Sequence, residues 1–153
     1  MGLSILLSFA SLAQTVEFYG SPASVISSGA VFPAGKRMLW TSGTTGGVAD
    51  STAKEGTRER FGDTRTQALS ILANFEKTLR EKGLSTKDVL MLRVYIAPDK
   101  STGTHDYQGW YDAYAKYFGT ADQPTKPIRS TIGIAGLANT DKFIEIEMVA
   151  VYP

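Results

Sequence analysis

Arg129, Glu145 and Glu147 are the residues whose types and spacing point most directly to chemistry. They fall in two apolar, β-branched stretches, residues 128–135 (IRSTIGIA) and 142–151 (KFIEIEMVAV), which read as the two final strands. Successive side chains of a strand point to opposite faces. In the first strand, Ile128, Ser130, Ile132 and Ile134 share one face, and Arg129, Thr131 and Gly133 share the other. In the second, Ile144, Ile146, Met148 and Ala150 fall together, opposite Phe143, Glu145, Glu147 and Val149. If the isoleucine-rich faces meet helices, Arg129, Glu145 and Glu147 all project from an uncovered face. A buried charge without a partner costs several kcal/mol, so these residues need a role. One role is an ion pair, Arg129 with Glu145 or Glu147, stitching strands or subunits. The other is an anion site. A guanidinium matches a carboxylate bidentately, and a carboxylate nearby can hold a water and take its proton. Spacing alone leaves both open.

Other chemistries are excluded by composition. There is no cysteine, so thiol catalysis, disulfides and Cys-based metal sites are absent. The single histidine, His105, excludes a multi-His metal site and stands beside Gly103 and Asp106, where a surface or capping role is expected. Lys plus Arg is 16 and Asp plus Glu is 15, without the basic excess of a nucleic-acid-binding domain. The densest basic stretch, residues 54–65, is interrupted by Glu55, Glu59 and Asp63 and reads as a solvated loop. TSGTTGG at 41–47 is glycine-rich but lacks the Gly-Lys-Ser/Thr ending of a phosphate loop.

The elements that must position the three charged residues follow from periodicity. The 153 residues make one domain, able to bury on the order of two-thirds of its unfolded surface. A first strand is expected from Val25-Ile26 to Ser28-Gly29, a turn at Pro33-Ala34-Gly35, and a second strand at 37–41, together an opening hairpin. Residues 44–62 read as a long loop. Asp63 or Thr64 can cap a helix, with Gln67 in capping-box spacing from Thr64. Ala68, Leu72, Phe75 and Leu79 give that helix one apolar face, and Gly83 is placed to end it. Residues 88–97 (DVLMLRVYIA) read as a central, well-covered strand. After a loop at 98–104, Tyr107, Trp110, Tyr111, Tyr114 and Phe118 mark an aromatic helix face ending at Gly119. Core packing is its plain role, with one or two rings available to line a pocket. The order ββαβαββ predicts an α+β fold with helices on one face of a mixed sheet.

The N-terminus reads separately. Residues 3–10 (LSILLSFA) are apolar but too short to span a bilayer, and Ser11-Leu12-Ala13 has the form of a signal-peptidase site. Residues 1–13 are therefore expected to be a signal peptide, leaving a single domain at 14–153 in a periplasmic or secreted protein. The n-region lacks Lys and Arg. The alternatives are an uncleaved extension and a cytoplasmic protein.

The same residues carry a resemblance. Pro127-Ile128-Arg129-Ser130 resembles the Pro-x-Arg-Ser motif of the Rid family (RidA/YjgF, reactive intermediate deaminases), and residues 143–151 resemble its Ile-Glu-Ile-Glu-x-x-Ala-Val ending. Leu39-Trp40-Thr41-Ser42-Gly43 is similar to its hydrophobic-x-Ser-Gly strand end. Gln67, Leu72, Asn74 and Phe75 match its first helix, and Tyr114 and Phe118 its second. The match covers about residues 24–152. It implies a chorismate-mutase-like protomer and a homotrimer whose uncovered sheet faces form a central barrel, with sites in clefts between subunits. It also implies hydrolysis of 2-imino or 2-enamino acids to 2-keto acids and ammonia, with no cofactor. Arg129 would hold the substrate carboxylate, and Glu145 would position water. Ser42 and Gly43 would line the pocket, and the Thr131 backbone would orient the water. The family's Gly-Pro-Tyr-Ser signature is replaced by Gly20-Ser21-Pro22-Ala23-Ser24, with Tyr19 as a partial substitute for its pocket tyrosine. Tyr111 stands where the family has a pocket Asn. A bulkier, more aromatic pocket is expected. Two rival functions are a non-catalytic trimer that binds small carboxylates, and a ribonuclease; near-neutral charge argues against the second. No membrane or nucleic-acid partner is expected.

Overall fold

The computed structural model describes residues 15–153, and the expected signal peptide at 1–13 lies outside them. The elements run β1 (Glu17–Tyr19), β2 (Gly29–Val31), β3 (Met38–Trp40), β4 (Thr44–Thr45), α1 (Arg58–Phe61), α2 (Thr64–Glu81), β5 (Val89–Ile96), α3 (Tyr107–Tyr114), β6 (Ile128–Gly133) and β7 (Ile144–Val151). The main sheet has the order β3-β7-β5-β6, with β4 also paired to β7. The β5–β6 pair is parallel and the others are antiparallel. A parallel pair needs a crossover, and α3 provides it. The fold is α+β, a mixed sheet with two main helices on one face, of the chorismate-mutase-like type.

Helix α2 begins where the Asp63 side chain accepts from the Thr66 amide at 2.8 Å. Its apolar stripe, Ala68, Ile71, Leu72, Phe75 and Leu79, is buried. The chain leaves the helix through Gly83 at φ 73°, a left-handed conformation that glycine adopts without strain. Gln67 does not complete a capping box. Its amide donates to the carbonyls of Gly62 and Asp141 and accepts from the Phe143 amide, so this buried side chain ties the start of α2 to the approach to β7. Together with Trp110, Ala113 and Tyr114 of α3, the α2 stripe packs on Leu92, Val94 and Ile96 of β5 and Ile144, Ile146, Met148 and Ala150 of β7.

The opening hairpin differs from expectation. Residues 25–26 form no strand; β2 pairs instead with β1, Phe18 opposite Ala30, and β3 pairs with β7. In the intervening segment the hydroxyls of Ser21 and Ser24 accept from the amides of Ala23 and Ile26. Such local bonds offer the backbone an alternative to a ladder. The β1–β2 ribbon covers one end of the second sheet face, where Phe18, Val16 and Ala30 pack near Leu90, Val149 and Val151. Residues 44–62, expected as a loop, contain β4 and α1.

Candidate active site

The register of the sheet decides which charged side chains can meet. Arg129 is opposite Leu92, and Leu92 is opposite Met148. Cross-strand partners share a face, and Leu92 and Met148 are buried under the helices. Arg129, Thr131 and Gly133 therefore lie on the helix-covered face. Glu145 is opposite Tyr95, and Tyr95 is opposite Ile132, which places all three on the other face. The expectation that Arg129, Glu145 and Glu147 share one face is overturned. The strands β6 and β7 are not neighbours, since β5 runs between them. As an edge strand, β6 can leave Ser130 and Ile132 exposed, Ile132 to 46%.

Arg129 is held under the tyrosines of α3. Its guanidinium carbon lies 4.4 Å from the Tyr114 ring centre, 5.1 Å from Tyr111 and 5.6 Å from Trp110. Each such contact contributes about 0.5–2 kcal/mol. None of the described carboxylates forms an ion pair with it, and its buried Nη1 has no hydrogen-bond partner. Burial lowers its pKa, partly offset by Tyr114 and Tyr111. Arginine still stays charged, because its ordinary pKa lies so high. The Tyr114 hydroxyl is pushed up to about 12 by burial, with the guanidinium opposing the shift. Thr131, two residues along the same face, has a buried hydroxyl without a partner. Tyr111, Tyr114 and the guanidinium line a cavity of about 510 Å³, together with Val25, Ala115, Phe118 and Lys126.

Glu145 belongs to a second cluster, on the opposite face. It pairs in register with Thr45 of β4, and its carboxylate lies against Gly43, where an added Cβ would collide with it. Ser42 is exposed beside Gly43. Glu147 is not Arg129's partner either: it accepts from Arg93 at 2.6 Å and from the Tyr95 hydroxyl at 3.4 Å. Arg129, Tyr111 and Thr131 are thus brought together, as are Ser42, Gly43 and Glu145, but one protomer does not join the two groups. Tyr19 joins neither. It is 61% exposed and lines a separate depression with Pro22, Ile26 and Pro124.

Three further residues line the cavity: Tyr114 and Phe118, from the aromatic face expected to lend one or two rings to a pocket, and Lys126, which carried no expectation. The aromatic spacing of α3 was the signal for the first two. Nothing in the local sequence marks Lys126, whose ammonium donates to the carbonyls of Pro22 and Ser24, about a hundred positions earlier in the chain.

Comparison with known proteins converges on one family. A RutC family protein of Pyrococcus horikoshii is 32% identical over 89 residues, covering 58% of this chain and 63% of that protein. Its Pyrococcus abyssi counterpart is 29% identical over 89 residues, covering 58% and 62%. The matches thus span less than two thirds of these relatives. Among solved structures, YyfB of Yersinia pestis, a Rid-family protein of unknown function, superposes with a TM-score of 0.66 at 22% identity, over 90% of this chain and 98% of that one. The YjgF gene product of Escherichia coli gives 0.57 at 26% identity, over 79% and 84%. The family model described as Endoribonuclease L-PSP matches residues 25–152, nearly the whole described domain, and the chain therefore belongs to that family, the Rid/YjgF proteins.

Proposed function

We propose that the protein hydrolyses 2-imino and 2-enamino acids to 2-keto acids and ammonia, in clefts between the subunits of a homotrimer. The observation that carries this reading is the buried, unpaired Nη1 of Arg129 at the wall of an aromatic cavity. A guanidinium so placed is a ready partner for a substrate carboxylate. Because Glu145 leaves the opposite face, a site using both must take Arg129 from one protomer and Glu145 from the next. Head-to-tail contacts of that kind close into rings. The uncovered sheet face offers apolar surface for such a contact, with Trp40 63% and Ile132 46% exposed on its two edge strands.

The chemistry asks little more. An imine is already electrophilic, so orientation supplies much of the rate. Glu145 takes a proton from water as its oxygen bonds to the imine carbon. That proton passes to the nitrogen, which takes the C=N π pair, giving a carbinolamine. The carbinol O–H proton then passes through Glu145 to the nitrogen as the C–N bond breaks, releasing ammonia and the keto acid. The enamine form first takes a proton at carbon to become the imine.

Two other readings have specific support. Tyr111 in place of an Asn, and Tyr19 outside the cavity, leave few polar groups at the site, which favours a trimer that binds small carboxylates without turnover. The family description suggests an RNA-cleaving reading, but the cavity is lined chiefly by apolar and aromatic side chains, and the Lys126 ammonium is engaged by backbone carbonyls.

The test is ammonia release from iminopropionate generated in situ, with light scattering on the same sample. Turnover lost in Arg129→Ala and a mass three times the protomer's support the proposal. Equal rates for mutant and wild type remove Arg129 from the mechanism, and a clean monomer removes the shared site. Calorimetric binding of pyruvate without turnover selects the binding protein instead.

A further inference from the structure

We propose that the Arg129 cavity selects 2-imino acids carrying an aromatic or long apolar side chain over those derived from alanine or serine. The inference rests on the deaminase reading above and names its substrate class. The cavity of about 510 Å³ is of a size that holds whole ligands, roughly 300–1,000 Å³. Around the guanidinium its walls are Tyr111, Tyr114, Phe118, Val25 and Ala115. Tyr114 and Phe118 stand 5.1 Å apart between ring centres, which extends the aromatic wall one turn beyond the residues that stack on Arg129. A carboxylate on Arg129 directs the rest of the substrate along this wall. A methyl or methylene group leaves most of it in contact with water, whereas a phenyl or isobutyl group displaces that water.

Polar alternatives fit poorly. A second anionic group on the substrate would need a second free cation, and Lys126 is the other cation lining the cavity. Its Nζ donates to the Pro22 carbonyl at 3.0 Å and the Ser24 carbonyl at 2.7 Å, which fixes it as a support for the 22–25 wall. The unpaired hydroxyl of Tyr114 is buried, and no described side chain presents an amide to the cavity.

The experiment compares imines formed in situ by an L-amino-acid oxidase from phenylalanine and from alanine, using the full chain and reading keto-acid release above the protein-free rate. The expected result is a kcat/KM for the phenylalanine-derived imine larger by roughly tenfold or more, the range that apolar pocket contacts give. Ala115→Trp narrows the exposed rim of the cavity and should bring that ratio toward one. Val25→Glu, at a 67% exposed position that tolerates change, should do the same. Acceleration of both imines with no preference, or with preference for alanine, overturns this inference and leaves the deaminase reading standing. A preference unchanged in both variants overturns it too, since the selectivity then lies elsewhere. Acceleration of neither imine overturns the deaminase reading and this inference with it.

Discussion

The Glu145 carboxylate rests against Gly43, filling the space that any side chain at that position would need. The contact joins the turn after β3 to β7. It also sets the direction of the acid, since Thr45 pairs with Glu145 one step further along. Gly43→Ala must therefore push the carboxylate aside. Turnover of the preferred imine should fall by about 10²-fold, the typical worth of a positioned acid–base group, while thermal stability changes little. Steady-state kinetics beside a melting curve separate the two effects. Full activity in the alanine variant would show that Glu145 does not need its present position.

A site shared between protomers makes a distinctive prediction for mixtures. Arg129→Ala and Glu145→Ala should each be inactive alone. When co-refolded in equal amounts, about a quarter of the clefts combine an intact Arg129 with an intact Glu145 across a ring contact. Activity should recover to about that fraction of wild type. A mixture as inactive as its parents would show that Arg129 and Glu145 do not meet across a subunit contact and would overturn the shared site.

Gln67 supports the fold from a position with no view of the cavity. It satisfies two carbonyls and one amide in the buried seam between α2 and β7. Gln67→Leu keeps the volume and strands those groups. Each buried group left unsatisfied costs about 1–3 kcal/mol, so the variant should lose about 3 kcal/mol or more in urea unfolding. A loss under about 1 kcal/mol would mean that water replaces the amide there.

The raised Tyr114 pKa gives a pH signature. Below its ordinary pKa of about 10 the phenol is neutral in both folded and unfolded chains, so its contribution is complete. Between about 10 and about 12 the unfolded chain ionises while the folded one resists, and stability declines. Tyr114→Phe should flatten that part of the decline in melting temperature. At neutral pH it should cost little, because the hydroxyl it removes has no partner. An identical alkaline slope in both proteins would assign the loss to other groups.

Much of this architecture can be read from periodicity. The stripe from Ala68 to Leu79, the Gly83 exit and the strand around Leu92 all lie where their spacing put them, because each buries a regular apolar face. Gln67 matched capping-box spacing, yet two of its three partners, Asp141 and Phe143, are more than seventy residues away, beyond any local rule. Parity grouped the side chains of β6 and β7 correctly within each strand. The assignment of faces failed because three isoleucines were weighed against one arginine. The aromatic side of α3 reverses that balance: three rings cover the guanidinium, and the edge position of β6 leaves Ile132 in water. Which strands are neighbours was equally hidden, since consecutive β6 and β7 are separated by β5.

The ammonium that reaches from residue 126 to the carbonyls of Pro22 and Ser24 has a consequence for how such a pocket can change. One rim of the cavity is an irregular segment tethered by backbone oxygens, which every residue type possesses. Substitutions at Ala23 or Val25 can therefore remodel the entrance while the tether holds and the strand bearing the guanidinium stays still. Selectivity and catalytic grip sit on separate pieces of chain, free to diverge at different speeds.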